Sequence, residues 1–214
     1  DTMGHVARNS YELIADEAEK QDFVIPDFVD QMIEKKLLGK KTQAGFYKTE
    51  LTPEWKKVRK VINPETLEYE DWQKVDFPCL QEAKKAKSLP EKMRAVVYGD
   101  AKGARFAWKA VASQLIYSAN RIPEISDTIV EIDNAMKWGY NFEMGPFETW
   151  DALGVKESVA KMEADGMAVP QKVKDMLAAG IETFYKTEEG KRFFYDFDAK
   201  AYKEVVVSEA NISL

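Results

Sequence analysis

The chain has 214 residues, of which 45% are hydrophobic and 32% charged, a composition typical of a globular protein with one or two modest cores. Its formal net charge of −6 argues against nucleic acid or an anionic membrane as the main partner, because both favour a basic surface. The single cysteine, Cys79, excludes a disulfide framework, and no segment resembles a transmembrane helix or a signal peptide, so we expect a soluble, cytoplasmic protein.

The first third of the chain predicts two helices and a small β-hairpin. The first helix, capped by Asp1, places four apolar residues on one face: Met3, Val6, Ala7 and Ile14. The second helix begins at Pro26, reaches about Leu37, and has Gly39 as its terminator. Residues 45–50 have an extended pattern, and residues 57–69 predict a hairpin around the turn-forming residues 63–66. Residues 70–87 show no clear period and are expected to form a linker.

The remainder predicts six helices followed by short strands. Ser88 and Glu91 have the spacing of a capping box, and residues 104–119 are apolar on most faces, which is typical of a central buried helix. A helix capped by Ser126 or Asp127 is expected to stop near Gly139. Gly145-Pro146 predicts a short helix through Trp150 that Gly154 closes. Two more helices are predicted over residues 156–164 and from Pro170 to a stop at Gly180, and residues 184–207 alternate as strands with a turn at 198–200.

One segment occurs twice. Phe46-Tyr47-Lys48-Thr49-Glu50 recurs as residues 184–188, and each copy follows a helix that opens on a proline, Pro26 or Pro170. We therefore predict two tandem repeats. Only 25 residues precede Pro26, whereas about 80 separate the linker from Pro170. The expectation is that the chain is a piece of a longer polypeptide, cut inside the first repeat.

The residue types needed for several common reactions are scarce. With one histidine and one cysteine, no His dyad, His-rich metal site or zinc cluster is expected. No glycine stands two positions from another, which excludes a G-x-G-x-x-G phosphate loop. We accordingly assign no catalytic, cofactor-binding or metal-binding residue to this chain.

Two constellations remain. The first, residues 39–47, joins a helix stop, a polar loop and an aromatic strand. The second combines residues 132–139, the Met144–Glu148 segment and residues 151–154. On their own, both are explained by helix termination, tight turns and aromatic packing. The residues that define them are Gly39, Lys41, Thr42, Gly45, Phe46 and Tyr47, and then Asp133, Gly139, Gly145, Pro146, Phe147, Glu148, Asp151 and Gly154.

The order and spacing of these residues closely resemble the C-terminal helical domain of 3-hydroxyacyl-CoA dehydrogenases. That family carries I-D-x-A-M-x-x-G, M-G-P-F-E and D-x-x-G, which match Ile132–Gly139, Met144–Glu148 and Asp151–Gly154, and a G-[KR]-K-T-x-x-G-F-Y loop, which matches Gly39–Tyr47. Two tandem copies resemble the multifunctional β-oxidation proteins. The resemblance implies a mainly α fold of two such helical repeats, the first truncated, each followed by a small β-hairpin.

The resemblance also implies a function for the parent protein, the NAD-dependent oxidation of a 3-hydroxyacyl-CoA to the 3-ketoacyl-CoA. In the family a His–Glu pair lies in an upstream NAD-binding domain, and the first helical domain contributes an Asn. Both would precede Asp1, so the chain itself is expected to be inactive and to lack the cofactor. In the second repeat the family's Asn-Arg aligns with Trp108-Lys109, and the G-K-K-T loop is missing, so that copy looks degenerate and mainly contributes packing.

The implied organisation is residues 1–50 for the end of the first repeat, 51–87 for a hairpin and linker, 88–207 for the second repeat with its hairpin, and 208–214 for a tail. The implied partners are the upstream NAD-binding domain, the rest of the first repeat, an enoyl-CoA hydratase domain in the same chain, an acyl-CoA substrate, and a second copy through self-association. Two alternatives stay open: a non-enzymatic helical interaction module, and the helical domain of a related hydroxyacid dehydrogenase.

Overall fold

The computed structural model describes residues 2–206, which form two compact units, one up to Val75 and the other from Asp76. The expected cap at Asp1 and the tail at 208–214 lie outside the described residues. About half of the described residues are helical, and the strands form two small antiparallel sheets. None of the helices within residues 2–206 combines the length and apolar character that crossing a bilayer requires.

The first unit begins with helices and ends with a sheet. Its helices are α1 (Thr2–Leu13), α2 (Glu17–Lys20) and α3 (Asp27–Glu34), with short 3₁₀ turns at Gln21–Phe23 and Lys40–Thr42. The strands β1 (Tyr47–Leu51), β2 (Lys57–Ile62) and β3 (Tyr69–Asp71) pair in the order β1-β2-β3. The hairpin predicted over residues 57–69 is present, and β1 adds a third strand to it.

The helices of the first unit differ in detail from the simplest sequence expectation. Met3 and Val6 of α1 are exposed, and Gly4 is the buried residue. A Cβ at residue 4 would lie only 3.0 Å from the Ile33 side chain, so α1 turns its smallest residue toward α3. Helix α3 ends at Glu34, earlier than expected, and Lys36 with its φ of 59° reverses the chain there, before Gly39 is reached.

The second unit contains seven helices among the described residues. They are α4 (Pro78–Lys85), α5 (Leu89–Val97), α6 (Lys102–Asn120), α7 (Ile129–Tyr140), α8 (Pro146–Leu153), α9 (Val155–Ala164) and α10 (Gln171–Ala178). The strands β4 (Tyr185–Glu188), β5 (Lys191–Asp196) and β6 (Ala201–Glu204) follow and pair in the order β4-β5-β6. The expected terminal hairpin is thus a three-stranded sheet, with the predicted turn between β5 and β6.

The core of this unit lies around α8. Phe147, Trp150 and Leu153 are completely buried on α8. They pack with Leu115 of the long helix α6, which is buried as its pattern predicts, and with Phe184 at the start of the sheet. The sheet therefore covers one side of α8, and the motif residues of this segment lie at the centre of the unit.

Three sequence expectations in the second unit need correction. Residues 78–85, expected in a linker, form α4, which Pro78 starts and whose inner residue is the buried Cys79. The cap of α7 is Thr128, whose hydroxyl accepts the Val130 N–H at 3.2 Å. Helix α7 also continues past Gly139 and ends at Asn141, the residue that adopts the left-handed conformation with φ 56°.

Candidate functional site

The motif residues of the second unit converge on the N-terminus of α8. Asp133, buried on α7, accepts hydrogen bonds from the backbone N–H groups of Phe147 at 2.8 Å and Glu148 at 3.1 Å. These donors belong to the first turn of α8, where the helix itself supplies no partner. A carboxylate from a neighbouring helix thus performs the capping, which fixes α7 to α8.

Gly145 and Glu148 complete this junction. A Cβ on Gly145 would lie 2.4 Å from Asp133 atoms, so only glycine lets the backbone at residue 145 approach helix α7 closely enough. Glu148 accepts the Gly145 N–H at 2.8 Å with one carboxylate oxygen and pairs through the other with Lys137 at 2.8 Å and Arg192 at 2.7 Å. Helix α7, helix α8 and strand β5 are therefore linked by one carboxylate.

Asp151 makes an equivalent junction at the other end of α8. Its two carboxylate oxygens accept the backbone N–H groups of Phe184 at 2.7 Å and Tyr185 at 2.8 Å. The donors belong to the second copy of the repeated pentapeptide. Asp151 therefore holds the start of the sheet against α8.

Burial perturbs both aspartates. Desolvation raises the pKa of Asp133 to about 6 and that of Asp151 to about 7, and the backbone N–H donors oppose the shift. Burial also raises the pKa of the Tyr185 hydroxyl, which interacts with Asp133. For Glu148, burial acts in the same direction, but the hydrogen bonds from Lys137 and Arg192 dominate and lower its pKa.

Phe147 connects the junctions to the core. Its ring contacts Phe184 edge-on at a centroid distance of 5.0 Å and Phe197 at 6.5 Å. Trp150, one turn further along α8, lies 5.2 Å from Phe184 and donates its indole N–H to Ser158 at 2.8 Å. Pro146 occupies the first turn of α8, as expected from its fixed φ.

The two remaining glycines of the second constellation, Gly154 and Gly139, lie in different environments. Gly154 has φ 87° and forms the turn between α8 and α9, where the Leu153 carbonyl accepts hydrogen bonds from Arg94 and Tyr98. Gly139 lies on an exposed part of α7, and a Cβ there would meet no atom within 4 Å. The structure brings Asp133, Gly145, Glu148 and their neighbours together and leaves Gly139 outside the cluster.

The first constellation forms a compact loop in the first unit. The Thr42 hydroxyl accepts the Leu38 N–H at 3.0 Å and donates to the Ala44 carbonyl at 3.0 Å, while the Gly39 N–H donates to Ala44 at 2.7 Å. A Cβ on Gly45 would lie 2.7 Å from the Gly39 Cα atom, so the loop closes glycine against glycine.

Some of the side chains around this loop are packed and others are exposed to solvent. Phe46 packs edge-on against Phe28 at 6.3 Å, whereas Tyr47 is 57% exposed and Lys41 is exposed. The Tyr69 hydroxyl donates to the Gly45 carbonyl at 2.6 Å and ties the loop to β3.

Trp108 lies in the core instead of an open cleft. It is 4% exposed, donates its indole N–H to Asp165 at 2.6 Å, and packs against Tyr98 at 5.7 Å. Lys109, the next residue, is exposed. This position of α6 therefore presents an indole that joins helices, with no group suited to acid–base chemistry.

The clustered carboxylates are engaged in hydrogen bonds and ion pairs within the protein. Asp133 and Asp151 spend both oxygens on backbone donors, and Glu148 is held by two cations. Within residues 2–206, no group of three or more His, Cys, Asp or Glu side chains could hold a metal ion.

The described strands do not form the parallel arrangement of a Rossmann-type dinucleotide site. Every strand pair in residues 2–206 is antiparallel, so the parallel βαβ unit that cradles a pyrophosphate is not built from them.

The sequence interpretation missed Tyr185, Arg192 and a cavity. Arg192 stacks over the Tyr185 ring at 4.2 Å while it pairs with Glu148. The repeated pentapeptide was a signal for Tyr185, but nothing in the sequence singled out Arg192. The cavity, of about 570 Å³, lies between α6 and α7 and is lined by apolar side chains such as Ile125 and Met136 together with polar ones such as Gln114 and Glu131.

Comparison with known proteins gives a consistent result. Residues 106–193 match the family model for the 3-hydroxyacyl-CoA dehydrogenase C-terminal domain. The chain is 45% identical over 196 residues to a probable 3-hydroxyacyl-CoA dehydrogenase of Bacillus subtilis, which covers 92% of this chain and 24% of that relative. It is 36% identical over 162 residues to a putative fatty acid oxidation complex trifunctional enzyme of Rickettsia felis, covering 74% of this chain and 20% of that protein.

A similar protein of Rickettsia prowazekii, with the same description, is 35% identical over 121 residues, which covers 56% of this chain and 15% of the relative. The chain thus spans a quarter or less of the length of these curated relatives. No solved structure matches it. The matched segment contains Asp133, the α8 junction and Asp151, and residues 106–193 therefore belong to the family of 3-hydroxyacyl-CoA dehydrogenase C-terminal domains.

Proposed function

We propose that this chain is the C-terminal substrate-domain and assembly region of an NAD-dependent 3-hydroxyacyl-CoA dehydrogenase of fatty-acid β-oxidation. The parent protein would oxidise a 3-hydroxyacyl-CoA to the 3-ketoacyl-CoA. The observation that carries the proposal is the 45% identity over 92% of this chain to a relative named for that activity. The chain spans 24% of that relative, which supports placing the NAD-binding domain and the catalytic residues in other parts of the proposed parent.

The second unit is proposed to act as a scaffold. Its motif carboxylates bind backbone N–H groups that join α7, α8 and the sheet, and the position aligned with the family's Asn is the buried Trp108. A rigid unit of this kind can support a neighbouring substrate domain without contributing a reacting group.

The tandem-repeat interpretation remains part of this proposal. In each unit, a helix that follows a proline (α3 or α10) leads into a three-stranded antiparallel sheet, and the repeated pentapeptide lies at the first strand. The 3₁₀ turn Lys40–Thr42 precedes β1, whereas only a short connection precedes β4. The shared order supports duplication of one ancestral repeat, with the glycine loop kept in the first copy.

The proposed partners follow from the same relatives. Two of them are named as trifunctional enzymes of a fatty acid oxidation complex, which supports further domains, including an enoyl-CoA hydratase, in the parent chain. An acyl-CoA substrate, a cytoplasmic location and contact with the upstream NAD-binding domain complete the proposal.

The test is a comparison of this chain with the full-length parent. Each is incubated with 3-hydroxybutyryl-CoA and NAD⁺, and NADH formation is followed. The parent should form NADH with saturation in both substrates, and the isolated chain should form none. A parent that forms no NADH with acyl-CoA substrates of short, medium or long chain would contradict the proposal.

A further inference from the structure

The first unit carries a strongly basic segment in an acidic chain. Residues 35–60 contain nine Lys or Arg and two Glu, a net charge of +7, although the whole chain carries −6. The rest of the sequence therefore carries −13, and the overall charge hides a local concentration of cations. This segment includes the glycine loop, β1, the turn between β1 and β2, and the first four residues of β2.

The two faces of the β1-β2-β3 sheet differ in an unusual way. The inner face carries the buried Ile62, and its lysines are neutralised, since Lys48 pairs with Glu50 at 2.8 Å and Lys60 with Asp71 at 2.7 Å. An exposed sheet face is normally polar. Here the outer face exposes large apolar side chains as well as cations.

We define the outer face by Tyr47, Leu51, Lys57, Arg59 and Trp72. The register places Tyr47 opposite Val61 and Leu51 opposite Lys57, so that alternate residues of β1 and β2 share this side. Tyr47 is 57%, Leu51 56% and Trp72 44% exposed. Arg59 lies between the two aromatic rings, 5.9 Å from Tyr47 and 5.7 Å from Trp72. Glu70 is an acidic residue on the same side, opposite Val61.

The turn between β1 and β2 extends this surface. Trp55 at its tip is 82% exposed and is followed by the exposed Lys56 and Lys57. The turn is ordered, because the Trp55 N–H donates to the Thr52 carbonyl at 2.9 Å and the Thr52 N–H donates to the Lys56 carbonyl at 2.9 Å.

Trp55 has a φ of 61°, a left-handed conformation that favours glycine and is rare for a bulky side chain. A tryptophan held there, in water, contributes little to folding. An exposed indole on a strained backbone at the tip is available for an external contact.

Aromatic side chains beside lysines and arginines suit the boundary between water and lipid. Tryptophan and tyrosine rings are favoured at that boundary, and cations nearby are attracted to anionic headgroups. The protruding Trp55 and the aliphatic Leu51 would enter the headgroup region, while Lys56, Lys57 and Arg59 remain at the charged surface. A nucleic acid would use the cations and could stack its bases on the aromatic rings, but it offers no apolar environment to Leu51 at the base of the hairpin turn.

We propose that the outer face and the β1–β2 turn dock this protein reversibly on an anionic lipid surface. The strongly acidic remainder of the chain would be repelled by the same lipid surface, so the basic segment is the part that would face the lipid. This proposal is independent of the proposed dehydrogenase activity.

The experiment is co-sedimentation of the chain with vesicles of phosphatidylcholine alone or mixed with phosphatidylglycerol. We expect binding only to the anionic vesicles, weakened by added salt. Lys56→Glu/Lys57→Glu should weaken binding at least about 20-fold, because each lysine near such a surface contributes about five-fold in affinity. Trp55→Ala should weaken it about ten-fold, through loss of apolar contact.

Matched controls lie in the second unit. Lys84→Glu/Lys85→Glu makes the same change in net charge on exposed α4 residues, and Trp138→Ala removes a tryptophan that is 75% exposed. Both should bind anionic vesicles as the unmodified chain does. Far-UV circular dichroism and thermal melting establish that each variant is folded.

Three outcomes would overturn the proposal: no binding to anionic vesicles, equal loss in the control variants, or unchanged vesicle binding by Trp55→Ala. Heparin is a polyanion without an apolar phase, so its binding tests whether the basic segment acts through charge alone. If heparin binds the chain and Trp55→Ala alters neither heparin nor vesicle binding, the basic segment recognises polyanions in general, and the lipid assignment is wrong.

Discussion

Replacement of Phe147 by alanine tests whether the α8 junction is structural. The side chain is fully buried, and its ring lies against Phe184 and Phe197. Truncation removes the transfer free energy of the ring and leaves a cavity that a packed core fills only in part. Buried Phe→Ala changes cost about 3–5 kcal/mol, and loss of the edge-on ring pairs places this site toward the upper half of that range.

The assay is urea unfolding, with Phe106→Ala as the matched control. Phe106 lies on α6 and is 77% exposed, so the same chemical change should alter the free energy of unfolding by less than about 0.5 kcal/mol. A loss below about 1 kcal/mol in Phe147→Ala, or an equal loss in both variants, would refute the packing interpretation.

The same variant separates scaffold from substrate contact in the parent enzyme. If Phe147 acts only through packing, activity should fall in proportion to the folded fraction, with kcat and KM of the folded molecules unchanged. A variant with unchanged melting and a KM for 3-hydroxyacyl-CoA raised tenfold would mean that the second unit touches substrate.

Four further predictions concern the junction and the surface. Asp133→Ala should destabilise the fold by about 1–3 kcal/mol for each of the two backbone N–H groups that lose their acceptor. The control Asp127→Ala, at an exposed residue, should leave stability unchanged, and equal melting temperatures of the two variants would contradict this. The folded-state pKa of Asp151 is about 7 and exceeds its unfolded value of about 4, so the folded state binds the carboxyl proton more tightly than the unfolded state does. The stability that this bound proton contributes is lost as the pH rises from about 4 to about 7. The unmodified chain should therefore lose stability relative to Asp151→Asn over that range, and a relative gain in urea titrations would show the opposite sign. Isothermal titration with NADH should show no saturable micromolar binding to this chain. The exposed Met3 and Val6 of α1 favour association of two copies, which light scattering would detect, and a monodisperse monomer would count against it.

The helices of the second unit were largely predictable from the sequence, because each long or capped helix has a clear signal. The Ser88 hydroxyl accepts the Glu91 N–H as the capping box predicts, and Gly145-Pro146 and Gly154 bound α8. Helix α4 was missed because a short helix that buries one residue, Cys79, has no detectable period. Lys36 and Asn141 ended helices where glycines were expected, since any residue with a tolerable left-handed conformation can replace glycine there.

The candidate site was predictable in composition but not in geometry. The motif residues were identified, yet nothing in their spacing showed that Asp133 and Asp151 accept backbone N–H groups from segments 14 and 33 residues away in sequence. Arg192 and the α6–α7 cavity depend on tertiary contacts and had no local signal. The overall charge averages the basic segment of the first unit into an acidic chain.

The most direct test of the dehydrogenase assignment is NADH formation by the full-length parent, compared with this chain at equal concentration, with 3-hydroxybutyryl-CoA and NAD⁺ both saturating. We expect saturable turnover by the parent and none by the chain. Turnover by the isolated chain would contradict the assignment of catalysis to other domains, and an inactive parent across short, medium and long acyl chains would contradict the assigned reaction.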